Sequence, residues 1–189
     1  EATRAYDSAI ALYTTSDASQ WVVFFTRGIT FERTDDWPKA ESDFRTALKL
    51  QPDQPQVLNY LGYSLVEMKL NLPEALEMIE TAVAARPNDG FITDSLGWVL
   101  YRLGRYDEAV TQMERAVELE PVDPIVTDHL GDVYWAVGRV REAEFQWYRA
   151  LSFEPEDTDA TRIRRKLDVG LDAVLLEEGG DPIQVSDGG

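Results

Sequence analysis

Few side chains in this sequence could perform acid–base or nucleophilic chemistry. The only histidine is His129, which directly follows Asp128. A Ser-His-Asp triad would need these two residues and a serine beside them in space, but no serine lies in a nucleophile-elbow sequence. We therefore interpret His129 as a structural or solvent-facing histidine, and we expect no catalytic residue.

The 35 acidic residues leave one catalytic alternative. Paired carboxylates can hydrolyse glycosidic bonds, so a carboxylate-based hydrolase is a distant third hypothesis, after the two binding functions that are described below. The sequence has no phosphate-binding loop, dinucleotide fingerprint or calcium loop. It also has no cysteine, which excludes disulfides, thiol chemistry and cysteine-based zinc sites. The sequence therefore predicts a protein that is not an enzyme, with no cofactor and no metal site.

The charge of the chain limits the classes of partner. The 18 basic and 35 acidic residues give a formal net charge of −17. This charge opposes binding to the phosphates of nucleic acids and to anionic lipids, and it favours attraction to basic partners. No apolar run approaches the length of a membrane span. We therefore expect no nucleic-acid partner and no direct membrane contact.

Four sets of residues recur along the chain at steps of 34 or 35 residues. Because the four sets keep one period independently, chance does not explain them. A fixed period of about 20 to 50 residues indicates an array of stacked repeats. The recurring positions are Gly28, Gly62, Gly97 and Gly131; Ala40, Ala75, Ala109 and Ala143; Ala47, Ala82, Ala116 and Ala150; and Pro52, Pro87, Pro121 and Pro155.

The third repeat, residues 90–123, shows what each unit contains. Apolar residues recur at helical spacing before and after Gly104, which indicates two helices joined by a turn. Glycine inside a helix costs about 1 kcal/mol relative to alanine. We therefore expect Gly97 to lie where the two helix backbones nearly touch. Pro121 cannot continue a helix, and it ends the second one.

These positions resemble the tetratricopeptide repeat, a helical hairpin of about 34 residues with the pattern W-x2-L-G-x2-Y…A-x3-F…A…P. Four units match, at residues 21–54, 55–89, 90–123 and 124–157. Arg27 stands in place of the usual leucine, and the second unit has one additional residue near its turn, within 69–73. The resemblance implies an all-α fold, a right-handed α-solenoid of helical hairpins.

The segments that flank the repeats are also predicted to have defined roles. Residues 1–16 form a helix like the second helix of a preceding repeat, and residues 1–20 comprise this helix and a linker. Because its first helix is absent, we expect the chain to be the end of a longer array. Residues 158–178 form one capping helix, with Lys166 on its polar outer face. We expect the glycine-rich tail, 179–189, to be disordered.

In the family that these repeats resemble, the first helix of each repeat lines a concave groove. The resemblance therefore implies a partner-binding face with an aromatic floor and three aspartates at one end. Alternatively, some of the rings pack between adjacent repeats. The predicted binding residues are Asn59, Tyr63, Phe91, Asp94, Trp98, Tyr101, Asp128, Asp132 and Trp135, while Val22, Phe25, Ile29 and Glu32 hold the same positions in the first repeat.

The leading functional hypothesis is a non-enzymatic scaffold that binds a protein or peptide in this groove. The aromatic and acidic residues predict a partner with apolar side chains and positive charge. The alternative is a self-association module of a larger protein, which forms a homo-oligomer through Tyr6, Ile10 and Tyr13 of the N-terminal helix.

A second resemblance concerns the location of the protein in the cell. The stretches LGWVLYRLGRYDEAV and DHLGDVYWAVGRVREAE are similar to the C-terminal part of long bacterial tetratricopeptide proteins. Some proteins of that kind are exported lipoproteins that act as adaptors in the envelope. The resemblance favours a bacterial periplasm or envelope over the cytoplasm as the location.

Overall fold

The computed structural model describes residues 2–13 and 17–183. Every regular element in these residues is helical, which confirms the predicted all-α fold. The disorder expected for residues 184–189 lies outside the described residues. The α-helices are α1 (Ala2–Ala11), α2 (Trp21–Glu32), α3 (Trp37–Leu50), α4 (Pro55–Glu67), α5 (Leu72–Ala85), α6 (Gly90–Arg102), α7 (Tyr106–Leu119), α8 (Pro124–Ala136), α9 (Val140–Ser152), α10 (Asp157–Val169) and α11 (Leu171–Glu177).

The chain forms two compact units. The N-terminal unit, residues 1–85, contains α1 to α5, and the C-terminal unit, residues 86–189, contains α6 to α11. In the N-terminal unit α2 packs against α3 and α4 against α5. In the C-terminal unit α6 packs against α7 and α8 against α9. These pairs are the helical hairpins that the repeat pattern predicts.

In the C-terminal unit, an aspartate caps the first helix of each hairpin, α6 and α8. The carboxylate of Asp89 accepts the N–H of Ile92 at 3.2 Å. The carboxylate of Asp123 accepts the N–H groups of Ile125 and Val126, each at 2.9 Å. A carboxylate at this position satisfies N–H groups that have no partner within the helix, and it also interacts favourably with the helix dipole.

The additional residue of the second hairpin is accommodated in the connection between α4 and α5. This connection contains two residues with left-handed backbone, Lys69 at φ 56° and Asn71 at φ 40°. The shorter connection between α6 and α7 contains one, Gly104 at φ 75°. The longer turn therefore lets α5 pair with α4 as α7 pairs with α6.

The recurring glycines lie at close approaches between paired helices, where the nearest atoms belong to a side chain of the second helix, and Gly62 also lies close to the backbone oxygen of Ala75. A Cβ atom at Gly97 would lie 2.7 Å from Cγ of Met113. The expectation of a backbone contact is wrong at this position, because a large side chain of the second helix fills the space above the glycine. The same relation joins Gly28 to Phe44, Gly62 to Ile79 and Gly131 to Trp147.

The N-terminal helix is shorter than predicted. It ends at Ala11 rather than at residue 16, and a 3-10 turn at Ala18–Gln20 precedes α2. Asp17 explains the new start, because its side chain accepts the N–H of Ser19 while the Gln20 side chain accepts the N–H of Asp17. This capping box begins a new helical segment instead of extending the first one.

The predicted single capping helix, 158–178, is wrong, since the chain turns at Gly170. There α10 ends and α11 begins, with Gly170 at φ 84° and ψ 157°. Side chains other than hydrogen are disfavoured at this φ. A Cβ atom would also lie 2.7 Å from the Trp135 ring. Glycine thus redirects the chain across the Trp135 indole.

The size and stiffness of the opposing side chain should decide how each glycine tolerates substitution. Both Gly97→Ala and Gly131→Ala gain helix propensity of about 1 kcal/mol. Both opposing side chains are fully buried, but Met113 can move aside because its side chain is flexible, whereas the Trp147 ring is rigid. We expect Gly131→Ala to destabilise the protein by about 1–3 kcal/mol and Gly97→Ala to be nearly neutral. Chemical denaturation of both variants tests this, and an equal loss in both would contradict it.

Candidate functional site

The structure brings together most of the predicted binding residues of the C-terminal unit, but it buries them. Phe91, Asp94, Trp98 and Tyr101 lie on α6, and the remaining three lie on α8. Only Phe91 is well exposed, at 52%. Trp135 is half-buried, and the other five are buried: Asp94, Trp98, Tyr101, Asp128 and Asp132.

The aromatic residues of α6 form a stack with α8. The ring of Trp98 lies 4.8 Å from that of Tyr101 and 4.1 Å from that of His129, and both pairs are nearly parallel. Trp98 therefore packs between the first helices of adjacent repeats, whereas the Tyr101 ring lies against Trp98 and, at 5.7 Å, the Tyr106 ring of α7. For Trp98 the packing alternative, rather than an open aromatic floor, describes the structure.

His129 is a buried structural histidine. Its Nδ1 lies 3.0 and 3.1 Å from the two carboxylate oxygens of Asp94, so its partner is not the adjacent Asp128. Burial alone would lower the pKa of His129, but the carboxylates of Asp94, Asp128 and Asp132 outweigh it and raise the pKa above its ordinary value. His129 therefore joins α8 to α6 as the partner of a carboxylate.

Lys166 of α10 inserts its ammonium group between the two aspartates of α8. Its Nζ lies 2.7 and 2.8 Å from the oxygens of Asp128 and 2.6 Å from Oδ1 of Asp132. Trp147 Nε1 also donates to Oδ1 of Asp132, at 3.0 Å. Arg162 lies 3.5 Å from Oδ2 of the same carboxylate. We call these five residues the acidic–basic cluster.

The cluster corrects two sequence predictions. Lys166 is 1% exposed and does not lie on a polar outer face, because two carboxylates give its ammonium group partners in the interior. Asp128 and Asp132 do not present their charges to a positive partner, because Lys166 and Arg162 already neutralise them. Asp94 is likewise occupied by His129.

The N-terminal unit keeps its predicted residues more accessible. Asn59 and Tyr63 of α4 are half-buried, and Val22 of α2 is 47% exposed. The side-chain oxygen of Asn59 is shielded from solvent and has no hydrogen-bond partner among the described residues. We call the face formed by Val22, Ile29 and Glu32 of α2 with Asn59 and Tyr63 of α4 the N-terminal inner face.

Glu32 has a distinct role on this face. Its carboxylate accepts hydrogen bonds from the Tyr60 hydroxyl at 2.5 Å and the Ser64 hydroxyl at 2.6 Å. Burial and the Glu32 carboxylate raise the pKa of Tyr60. Within the described part of the chain, Glu32 forms no ion pair with a lysine or arginine. The sequence placed Glu32 at a groove position but did not identify it as a binding residue. Its hydrogen-bond partners belong to the next repeat, and the sequence alone does not show which side chains meet there.

The residues that the structure describes contain no group of three or more histidine, aspartate or glutamate side chains arranged to hold a metal ion. Their helices include none with the length and apolar character to cross a membrane.

Comparison with known proteins adds a family match. The profile of the family described as Tetratricopeptide repeat matches residues 25–90 and 95–158. A TPR repeat-containing protein of Pseudomonas aeruginosa is 36% identical to this chain over 83 residues. The match covers 44% of this chain but only 14% of that relative, so the chain spans a small part of the relative's length.

Solved structures share the fold. YrrB, a TPR protein with an unusual peptide-binding site, superposes with a TM-score of 0.65 at 22% identity, covering 86% of this chain and 81% of its own. MamA of Desulfovibrio magneticus RS-1 superposes with a TM-score of 0.63 at 24% sequence identity, and the match covers 71% of this chain and 75% of MamA. The O-GlcNAc transferase of Thermobaculum terrenum superposes with a TM-score of 0.66 at 23% sequence identity, and the match covers 73% of this chain and 27% of the transferase. At these identities the likeness shows the fold alone.

The pairing of His129 with Asp94 predicts a pH dependence of stability. Because folding raises the pKa of His129, its contribution is complete below the unfolded value of about 6.5 and is lost as pH rises through the folded pKa. The difference in unfolding free energy between the wild type and His129→Gln should shrink across this window. Denaturation at a series of pH values measures it. In an Asp94→Asn background the dependence should weaken, and a difference constant with pH would refute the pairing.

Removal of the Lys166 ammonium group should destabilise the protein strongly. Lys166→Met leaves Asp128 and Asp132 buried with less positive charge beside them, and breaking such a buried pair costs about 3–5 kcal/mol. Arg164→Met is the matched control, because Arg164 is exposed on the same helix. Denaturant unfolding of both variants is the measurement. If the two variants lost similar stability, Lys166 would not have the role assigned here.

Proposed function

Because the chain belongs to the tetratricopeptide repeat family, we propose that it is a non-enzymatic interaction scaffold that binds an extended partner segment on the N-terminal inner face. The partner carries apolar side chains and at least one basic group. The observation that carries this proposal is the carboxylate of Glu32, which accepts two hydroxyl hydrogen bonds and has no lysine or arginine within ion-pair distance among the described residues.

Asn59 supports an extended partner segment. A shielded polar atom that lacks a hydrogen bond costs about 1–3 kcal/mol. The side-chain oxygen of Asn59 is such an atom. Because Asn59 is only half-buried, its side chain can turn toward a bound segment, accept a backbone N–H and donate to a backbone carbonyl in return. This contact does not depend on the side chains of the partner.

Charge supports a basic group in the partner. The three aspartates predicted to line the groove in the C-terminal unit, Asp94, Asp128 and Asp132, are paired within the unit. Glu32 has no such pair among the residues that the structure describes, and the whole chain carries a net charge of −17. A basic side chain that approaches Glu32 therefore gains both a local partner and long-range attraction.

The fold relatives support a peptide as the ligand class. YrrB shares the fold and is a TPR protein with an unusual peptide-binding site. The exposed part of Val22 and the half-buried ring of Tyr63 offer apolar contact to a peptide side chain. Contacts of this kind commonly supply most of the binding energy, while charges adjust the association rate.

Selection of peptides from a phage-displayed random library against the full chain provides a probe for this face. For a selected peptide, we expect Asn59→Ala to weaken binding by about 0.5–1.5 kcal/mol at low and high salt, because it removes hydrogen bonds. Glu32→Gln should slow association mainly at low salt, since screening reduces its long-range effect. Binding kinetics at two salt concentrations measure both effects.

Glu80→Gln is the matched control for charge, because Glu80 is exposed on α5, a second helix of the same unit. It should lower the negative charge by the same amount and leave association nearly unchanged. Circular dichroism checks that each variant is folded. Selected peptides that bind both folded inner-face variants as they bind the wild type would rule out this face as the binding site.

A further inference from the structure

We propose that the surface around Trp135 is a second binding site, which takes a short acidic and apolar partner segment and is occupied in this structure by α11 of the chain itself. The site lies wholly within the C-terminal unit. It selects a charge opposite to that preferred by the N-terminal inner face. The two proposals can therefore be tested independently, and failure of one leaves the other unaffected.

The contacts of α11 define the chemistry of the site. The indole Nε1 of Trp135 donates to Oδ2 of Asp172 at 2.9 Å. Oδ1 of the same carboxylate accepts the N–H of Ile183, also at 2.9 Å. Leu171 and Val174, three positions apart on α11, are both buried. A ligand for this surface thus combines a carboxylate with two apolar side chains on one face of a helical turn.

Two arginines of α10 extend the recognition of acidic groups. Arg162 pairs with Glu178 at 2.7 Å, and Arg165 pairs with Glu177 at 2.6 Å. Both pairs are substantially exposed, so each contributes little to holding α11 in place. They do, however, give the site a positive edge where the C-terminal end of α11 lies. This edge favours a ligand whose acidic residues follow its apolar ones.

The attachment of α11 is weak enough for exchange. The helix has seven residues, which is too short for independent stability, and Leu176 remains 58% exposed on it. By contrast, α10 is anchored by the buried ammonium group of Lys166. Displacement of α11 therefore leaves α10 and its two arginines in position. Gly170 is the joint at which the two segments separate, because its left-handed backbone ends α10.

A synthetic peptide of residues 170–183 is the probe for this site. In the full chain, Leu171→Glu with Val174→Glu places charges at two buried positions and should release α11. The tethered α11 of the wild type competes at an effective concentration in the millimolar range. We therefore expect the peptide to bind the release variant at least about tenfold more tightly than it binds the wild type.

Two controls distinguish binding at this site from non-specific binding. The Asp172→Ala peptide should bind the release variant about tenfold more weakly, because it cannot accept the indole hydrogen bond. The full-chain variant Leu176→Glu changes an exposed position of the same helix, so it should bind the peptide no better than the wild type does. Equal binding of both peptides, or no binding to a folded release variant, would overturn the proposal.

A second measurement does not depend on the release variant. Trp135→Phe keeps an aromatic ring but removes the N–H donor to Asp172. We expect amide hydrogen exchange over residues 171–177 to become several-fold faster, while exchange in α8 and α10 stays as in the wild type. Unchanged exchange over 171–177 would also overturn the proposal, because α11 would then be held by something other than this site.

Discussion

The buried ammonium group of Lys166 is the interaction on which the C-terminal unit depends. Burial of two carboxylates one helical turn apart on α8 would cost much free energy without a cation between them. Lys166 supplies that cation from a separate helix, at 2.6–2.8 Å. The same contact fixes α10 against α8, and the position of α10 in turn fixes Gly170 beside the Trp135 ring. The course of α11 therefore follows from a charge requirement of α8.

This requirement also gives the two units different surfaces, although both are built from the same hairpin. The C-terminal unit neutralises the aspartates of its first helices with its own basic groups. The N-terminal unit leaves Glu32 with hydroxyl donors alone among the described residues. We therefore propose that its inner face attracts cations, whereas the α10 arginines that contact the C-terminal end of α11 attract anions. A repeat family can thus present opposite preferences by changing a few inner-face residues while the backbone stays the same.

Much of the fold was predictable from the sequence, because the repeat period and the helical spacing of apolar residues are local signals. The all-α hairpins followed from them. The burial of Lys166 did not, since its partners lie 34 and 38 residues earlier in the chain. The break at Gly170 was hidden for a related reason: the apolar stripe of Ile163 continues through Leu171 and Val174 as if one helix carried it. Both errors concern contacts between the C-terminal helices and the fourth repeat, which a period does not specify.

Trp147 belongs both to the repeat pattern and to the acidic–basic cluster. In every hairpin the recurring glycine leaves room for one large side chain of the second helix, and in the fourth hairpin that side chain is Trp147. Its indole N–H donates to Asp132, and its ring lies 5.6 Å from the ammonium of Lys166 and 5.5 Å from the Trp135 ring. Phe44, Ile79 and Met113 hold the same position in the other hairpins but have no N–H to donate. The tryptophan therefore fills the space above Gly131 and also supports a carboxylate that Lys166 needs, so packing within the hairpin and attachment of α10 share one side chain.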